Sequence, residues 1–309
     1  MHCYDVLGLT IQAGLPVPGL EALSSPFCEN QVQVDEGNVP ASLEQAEKVR
    51  PLYEVSGDQV LVEVPGIGRL LITEGKRIVF ERAPTGPDAP IFAHLLGTGL
   101  ATIHHQRGNV VLHGGSLCRA GHAYLICGRS GAGKSTTLAH LLANGGETLG
   151  DDVTVVGDAP EFMIPAGPRV TKLADDVLVG LPDFQTMKTE MRCSKGKRVL
   201  PTEHLFAATP YPLSGVIVLE QRGVTQVSLE RVPVSEAIAL LWAHSFRKRF
   251  IARAKLPGLL IKWTALAHAV PVWRIARPAA HDTVAEVVAK AEDAIAKIAD
   301  ERRRRGSVG

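Results

Sequence analysis

The sequence has 309 residues, 45% of them apolar and 21% charged. That is enough for one large or two modest domains with a substantial core, in an ordinary soluble globular balance. With 33 basic against 32 acidic side chains the net charge is +1, which excludes a global field that would recruit nucleic acid or an anionic membrane.

Five scattered cysteines (Cys3, Cys28, Cys118, Cys127, Cys193) show no CxxC spacing, which argues against a disulfide framework or zinc site and fits a reducing, cytoplasmic setting. Cys118 and Cys127 lie in apolar surroundings and read as small core residues. No basic stretch followed by an apolar core opens the chain, so no signal peptide is expected. No uncharged apolar run is long enough to span a membrane.

Residues 1–86 read as short strands broken by glycine and proline, an antiparallel, mostly β module. Its clearest strands are Gln59–Val64, Arg69–Ile72 and Arg77–Phe80, separated by Pro65-Gly66 and Glu74-Gly75. Residues 87–309 form the second unit. Pro87 to Gln106 is expected to be helical, with Ile91, Leu95, Leu96, Leu100 and Ile103 on one stripe and Gly108 as its stop. Val110–His113 is then a strand ending at His113, and Ala123–Cys127 is the next. Val153–Val156 and Gly215–Leu219 are strands of the buried type. Helices are expected over 235–255 and 282–305, and no repeat of solenoid period is present.

The run Gly128-Arg129-Ser130-Gly131-Ala132-Gly133-Lys134-Ser135 fits GxxxxGK[ST]. In such a loop backbone N–H groups cradle phosphates and the lysine reaches the terminal ones. The apolar run Tyr124–Cys127 before it and the helix-compatible run Thr136–Leu142 after it supply the strand–loop–helix context the motif needs. A helix N-terminus there adds about half a positive charge aimed at the phosphates. Gly128, Ser130, Gly131, Ala132, Gly133, Lys134, Ser135 and Thr136 are therefore the candidate nucleotide-binding residues. Ser135 can also ligate Mg²⁺.

The loop alone does not name a reaction. Asp151-Asp152 begin 17 residues after Lys134, at the start of an apolar strand, where one carboxylate can hold a metal and the other accept a hydroxyl proton. Solvated acids in a turn are the alternative. His113 precedes Gly114-Gly115 and lies in the strand before the loop strand, so it is a structural histidine or a neighbour of the phosphates.

His113, the loop ending in Lys134-Ser135, and Asp151-Asp152 together resemble the catalytic core of the HPr kinase/phosphorylase family. The resemblance covers roughly residues 105–160. It implies an α/β P-loop core of HPr-kinase type. The order of the elements puts the mostly β module in front of it, and that module does not read like the regulatory domain of those enzymes. The resemblance also implies Asp151 as general base toward a serine hydroxyl, Asp152 and Ser135 as Mg²⁺ ligands, and His113 beside base or phosphate. ATP and Mg²⁺ are the implied cofactors, and a ring-shaped or dimeric homo-oligomer the implied assembly. Arg129 and Thr136 stand where acidic residues are common in that family, and an ERGxG-type signature is missing, which counts against phosphorolysis. The layout is more similar to the smaller HPr-kinase-like kinases of ribosomal peptides, such as lasso-peptide precursors. Lys197–Pro201 and Val270–Ile275 look like their later stretches.

Lys195, Lys197 and Arg198 form a basic segment that either closes on ATP or stays solvated. Arg169 and Lys172 invite the same two readings. His244–Arg249 is read as a helical basic face, solvated or docking an acidic peptide. Arg302–Arg305 reads as a solvated helix end. The expected function is an ATP- and Mg²⁺-dependent kinase that phosphorylates serine on a peptide or small protein, with no nucleic-acid or membrane partner. Alternatives are a free-serine kinase, a nucleotide switch or ATPase, and a degenerate binding scaffold. No NKxD or LSGGQ-type motif supports the switch or ATPase reading.

Overall fold

Short alternating stretches at the start of the chain bury one side chain in two, and pairing them covers that apolar face. In the computed structural model they are β1 (His2–Val6), β2 (Leu9–Ala13), β3 (Gln31–Glu36), β4 (Lys48–Arg50), β5 (Tyr53–Ser56), β6 (Gln59–Val64), β7 (Gly68–Thr73) and β8 (Arg77–Arg82). The structure describes residues 1–309 except 19, 22, 24–30, 85–87, 179–180, 182–183, 185–195, 202–204, 208, 280–282 and 307–309. Cys28, Cys193 and Lys195 therefore lie outside the described residues.

The eight strands form one sheet in the order β1-β2-β3-β8-β7-β6-β5-β4. It is not wholly antiparallel, as the sequence reading had it: β3 runs parallel to both β2 and β8. The β4–β7 meander is inserted between β3 and β8, so these two meet as non-sequential neighbours. Such a pairing leaves no hairpin signal in the sequence.

The helical stretch falls where its stripe predicts, as α1 (Asp88–His94), a π-helical turn (Leu95–Gly99) and α2 (Leu100–Gln106). Ile91, Leu95, Leu96, Leu100 and Ile103 are all buried, packed on the first sheet's core with Ile72, Ile78 and Phe80. That core also takes in Val111, Val153, Val155, Phe246 and Phe250, so the two parts of the chain share apolar packing.

A second sheet holds β9 (Val110–Arg119), β10 (His122–Gly128), β11 (Val153–Val156), β15 (Tyr211–Gln221), β16 (Ser228–Arg231) and β17 (Val272–Arg277) in the order β11-β9-β10-β15-β17-β16. β12 (Met163–Ile164) pairs with β15, and β13 (Val170–Leu173) with β14 (Arg198–Pro201) form a two-stranded arm. β10, β15 and β17 are mutually parallel. Their near-continuous apolar runs reflect cover on both faces. One face carries α3 (Lys134–Ala143) and α7 (Val284–Gly306), through Leu138, Leu141, Ala291 and Ile298. The other carries α5 (Val234–Ala243) and α6 (Leu256–Ala269), through Leu241, Leu259 and Trp263. The short α4 (Asp175–Leu178) follows β13. Among the described residues no helix is long and apolar enough to cross a membrane.

Three expectations need correction. The helix expected over 235–255 stops at Ala243, and a second begins at Leu256 with Pro257 in its first turn. Pro-Gly at 257–258 marks a helix start, because proline at the first positions forfeits no hydrogen bond. Residues 244–249 consequently lie on no α-helix: Leu112 bridges Ser245, Phe246 N donates to Val111 O, and Arg247 takes φ +49°. Finally, His113 does not end its strand, since β9 continues through Gly114-Gly115 to Arg119.

Candidate functional site

β9 lies between β11 and β10. Residues 110–113 pair antiparallel with β11, and 114–119 pair antiparallel with β10. The register sets His113 opposite Val153 and Gly114 opposite Cys127, so the end of β10 and the start of β11 come level on the two edges of β9. The chain leaves β10 at Gly128 into the glycine loop and enters β11 from Asp151-Asp152. Loop and acids therefore leave the sheet on either side of β9 and line one cleft.

Two glycines make the approach close enough. A Cβ on Gly115 would stand 2.5 Å from Leu138 Cδ2 and 2.8 Å from Asp151 O. Only a bare backbone lets β9, α3 and the first acid meet. Gly133, at φ +100°, is the left-handed residue that turns the loop into α3. Other residues avoid that conformation. In this turn Lys134 Nζ donates to Gly128 O at 2.9 Å and Arg129 O at 3.2 Å.

The cleft encloses about 930 Å³. Its walls include Gly128–Gly131, Gly133–Thr136, His113, Asp151, Asp152, Lys172 and Lys197. Ala132 is buried behind the loop. Arg198 is not among the lining residues and pairs instead with Asp175 at 2.6 Å. Arg169 is also turned elsewhere, pairing with Glu21 at 2.7 Å. Arg302 donates to Ser214 Oγ at 2.9 Å, away from the cleft.

The two acids have different surroundings. Asp151 is buried, and its Oδ2 accepts from Thr171 Oγ1 at 2.9 Å and Lys172 N at 2.8 Å. Oδ1 has no hydrogen-bond partner among the described residues. Burial, and then the neighbouring Asp152 charge, raise the Asp151 carboxyl above its ordinary value despite those two bonds. Asp152 is more open. Burial works against its charged form too, but Lys172, His113 and Lys134 outweigh that and hold it below the usual carboxylate range. Its Oδ2 accepts from Lys172 Nζ at 2.9 Å, and its Oδ1 lies 3.4 Å from His113 Nδ1. The pair is thus split into one carboxyl that takes a proton more readily and one that stays ionised.

His113 Nδ1 faces Asp152 O at 3.1 Å. Burial and then Lys134 lower the ring's pKa against the pull of Asp152. Both oxygens near Nδ1 can only accept, so the neutral ring carries its proton there and Nε2 keeps the lone pair. Lys134 itself is lowered, by burial first, against the raising effect of Asp152.

Several residues that line the cleft or hold its acids carry no signal in the sequence that ties them to the loop. Thr171 and the backbone of Lys172 reach Asp151 because β13 passes beside it, a contact spanning 20 residues. His94 and Thr98 come from the α1–π-turn segment, and a wide π turn is a recurrent feature of functional sites. Residues 244–246 reach the cleft as a strand-like segment, with His113 N donating to His244 O at 2.8 Å. Arg277, at the end of β17, donates from Nε to Ala132 O at 3.2 Å and from Nη2 to Gly131 O at 3.3 Å, clamping the loop from outside.

Strand, glycine loop and helix, with a split acid pair facing them, define the class of site. No protein-family model matches the sequence, and no curated protein matches it. Among solved structures the chain is similar to the Hpr(Ser) kinase/phosphatase from Coxiella burnetii, at 14% identity over 61% of this chain and 97% of that one, with a TM-score of 0.29. At that score the likeness carries no assignment, and the functional reading rests on this chain's own residues.

Proposed function

We propose that this chain is an ATP- and Mg²⁺-dependent kinase that transfers the γ-phosphoryl group to a serine hydroxyl on a peptide or small protein. The observation that carries the reading is the pair of adjacent carboxyls sharing one cleft with the GxxxxGK[ST] loop, Asp151 held through Oδ2 by Thr171 and Lys172 N and Asp152 by Lys172 Nζ. Environments that push neighbouring acids apart mark a division between proton transfer and fixed charge.

In this reading the loop N–H groups and the N-terminus of α3 bind the β- and γ-phosphates, and Lys134 leaves the loop carbonyls to neutralise developing charge. Asp151 is the base, through the Oδ1 that Thr171 and Lys172 leave free. The serine oxygen forms a bond to the γ-phosphorus while the bond to the bridging β–γ oxygen breaks. The serine proton passes to Asp151, and ADP departs with the bonding pair. Ser135 and Asp152 are hard oxygen donors of the kind Mg²⁺ takes. Among the described residues no set of three His, Cys, Asp or Glu is grouped to hold a metal alone, so the remaining ligands would be phosphate and water oxygens. Bound there, the ion would screen the phosphate charges. His113 keeps Asp152 oriented. Residues 1–86 then form the acceptor-side module and 87–309 the phosphotransfer domain.

Intact-mass measurement of a serine-bearing peptide after incubation with ATP, Mg²⁺ and the full chain tests this. The expected result is a gain of about 80 Da on serine with wild type and none with Asp151→Asn. Phosphate release that needs no acceptor and survives Asp151→Asn would instead establish an ATPase or switch.

A further inference from the structure

Beside the catalytic cleft lies a second cavity of about 450 Å³. It contains none of the loop residues and neither Asp151 nor Asp152, and it shares only His94, Thr98, Arg247 and Arg249 with the first cleft. Its floor is apolar: Leu52, Tyr53, Val62, Val64 and Pro65 from β5, β6 and the adjoining turns, and Phe250 opposite. Leu52 is 49% exposed there. Its rim is cationic, with Arg50, Arg247 and Arg249 against a single carboxylate, Glu63.

These arginines have no carboxylate partner among the described residues, and Arg249 and Arg247 lie over aromatic rings. Arg249 lies over the Tyr53 ring at 5.3 Å and the Phe250 ring at 5.6 Å, and those two rings meet edge-on at 5.0 Å. Arg50 donates only to the carbonyl of Val49, at 2.8 Å. Arg247, on its left-handed backbone, keeps Nε buried with no partner. Arg247 also lies within electrostatic reach of Asp152, which in turn interacts with Lys134. The wall that carries these groups is pinned to the first sheet. Lys48 Nζ donates to Ile251 O at 2.7 Å, and Lys255 pairs with Asp58 at 3.4 Å.

We propose that this second cavity is the acceptor channel, and that it selects an extended acidic peptide segment with an apolar side chain next to its acceptor serine. The inference rests on the kinase reading above and adds the substrate class. Preplaced, unpaired guanidinium groups attract carboxylates and bind them bidentately, and they lose least entropy when already stacked on rings. The apolar floor accepts the adjoining side chain. Arg247, at the junction, meets the acidic residue nearest the serine, whose hydroxyl then enters the first cleft toward Asp151.

The test is fluorescence anisotropy on the full chain with two labelled twelve-residue peptides. One carries serine, leucine and four glutamates; in the other, lysines replace the glutamates. Binding of AMP-PNP with Mg²⁺ is measured separately. The acidic peptide should bind about tenfold or more tighter than the basic one and should bind together with AMP-PNP. Arg50→Glu should weaken it about threefold and Arg249→Glu about tenfold. Arg50→Glu, whose residue lines the second cavity alone, should bind AMP-PNP like wild type, which also shows that it is folded. Equal binding of the two peptides, no peptide binding, or displacement of the acidic peptide by AMP-PNP would each overturn the channel. The last outcome would assign the arginines to nucleotide phosphates. Loss of AMP-PNP binding by wild type itself would sink the kinase reading instead, whatever the peptides do.

Discussion

The loop side and the opposite side of the cleft are built from the chain in contrasting ways. The loop side comes from one stretch: β10, the glycine turn and α3 are consecutive, and the acids follow a short way on. The opposite side is assembled from 50–53, 62–65, 94–98 and 244–250, which meet only in the folded molecule. The first side therefore carries chemistry that local sequence can encode. The second would, in the proposed reading, carry selectivity that only tertiary pairing can build. Substitutions on the loop side should damage turnover of any acceptor; those opposite should discriminate among acceptors.

The largest effect should come from Asp151→Asn, which removes the proposed base. Acceptor phosphorylation should drop by about a thousandfold, within the usual range for a general base, with AMP-PNP affinity within about twofold of wild type. Isothermal titration and single-turnover kinetics check the two halves, and a comparable fall in nucleotide affinity would erase the distinction between the sides.

The packing between acids and loop can be broken directly. Gly115→Val places atoms where Leu138 and Asp151 O already stand. A loss of about 1–3 kcal/mol, read as a lower Tm, is expected from overpacking. An unchanged Tm would show that α3 and β11 are not wedged together by this glycine.

Three buried histidines, His104 and His105 on α2 and His244 in the cleft wall, are neutral. Burial pushes His104 down to about 3, and His105 and His244 down to about 4, although His105 also bonds Phe246 O at 2.6 Å. In the unfolded chain each binds a proton near 6.5, so between about 6.5 and 4 the unfolded state holds more protons than the native one. Stability from these groups is complete above about pH 7 and declines as pH falls, by roughly 1.4 kcal/mol per pH unit for each histidine. Urea melts at pH 7 and 5 test the sign, and higher stability at pH 5 would contradict it.

Smaller effects separate residues that look alike in the sequence. Arg277→Leu, which frees Gly131 O and Ala132 O, should raise KM for ATP by about three- to tenfold with kcat nearly kept. Lys197→Ala should weaken nucleotide binding by several-fold, because Lys197 lines the cleft. Arg198→Ala should do about nothing, because Arg198 pairs with the exposed Asp175. Equal effects at 197 and 198 would mean that the segment acts as one charged patch.

What the sequence made legible follows the same division. The strand–loop–helix, the 88–106 stripe and the position of Asp151-Asp152 are written in local spacing and periodicity. The parallel pairing of β3 with β2 and β8, the passage of β13 beside Asp151 and the bridge between Leu112 and Ser245 join residues far apart in the chain, where no local signal exists. Between Trp242 and Lys255 there is no glycine or proline to announce the end of α5, and Pro257 reads equally as a stop or as the first turn of α6. Arg247 was visible as a charge. Its place at the junction of two cavities depends on a backbone turn that nothing in its neighbours encodes.

Division of labour between base and fixed charge requires that Asp151 and Asp152 be set apart by their surroundings. The most direct test is a ¹³C-carboxyl titration of aspartate-labelled protein, with Asp151→Asn and Asp152→Asn supplying the assignments. The account predicts that the Asp151 resonance titrates above the ordinary 3.8 and the Asp152 resonance below it. Both carboxyls titrating together near that ordinary value, or in the reverse order, would contradict the assignment of base and fixed charge.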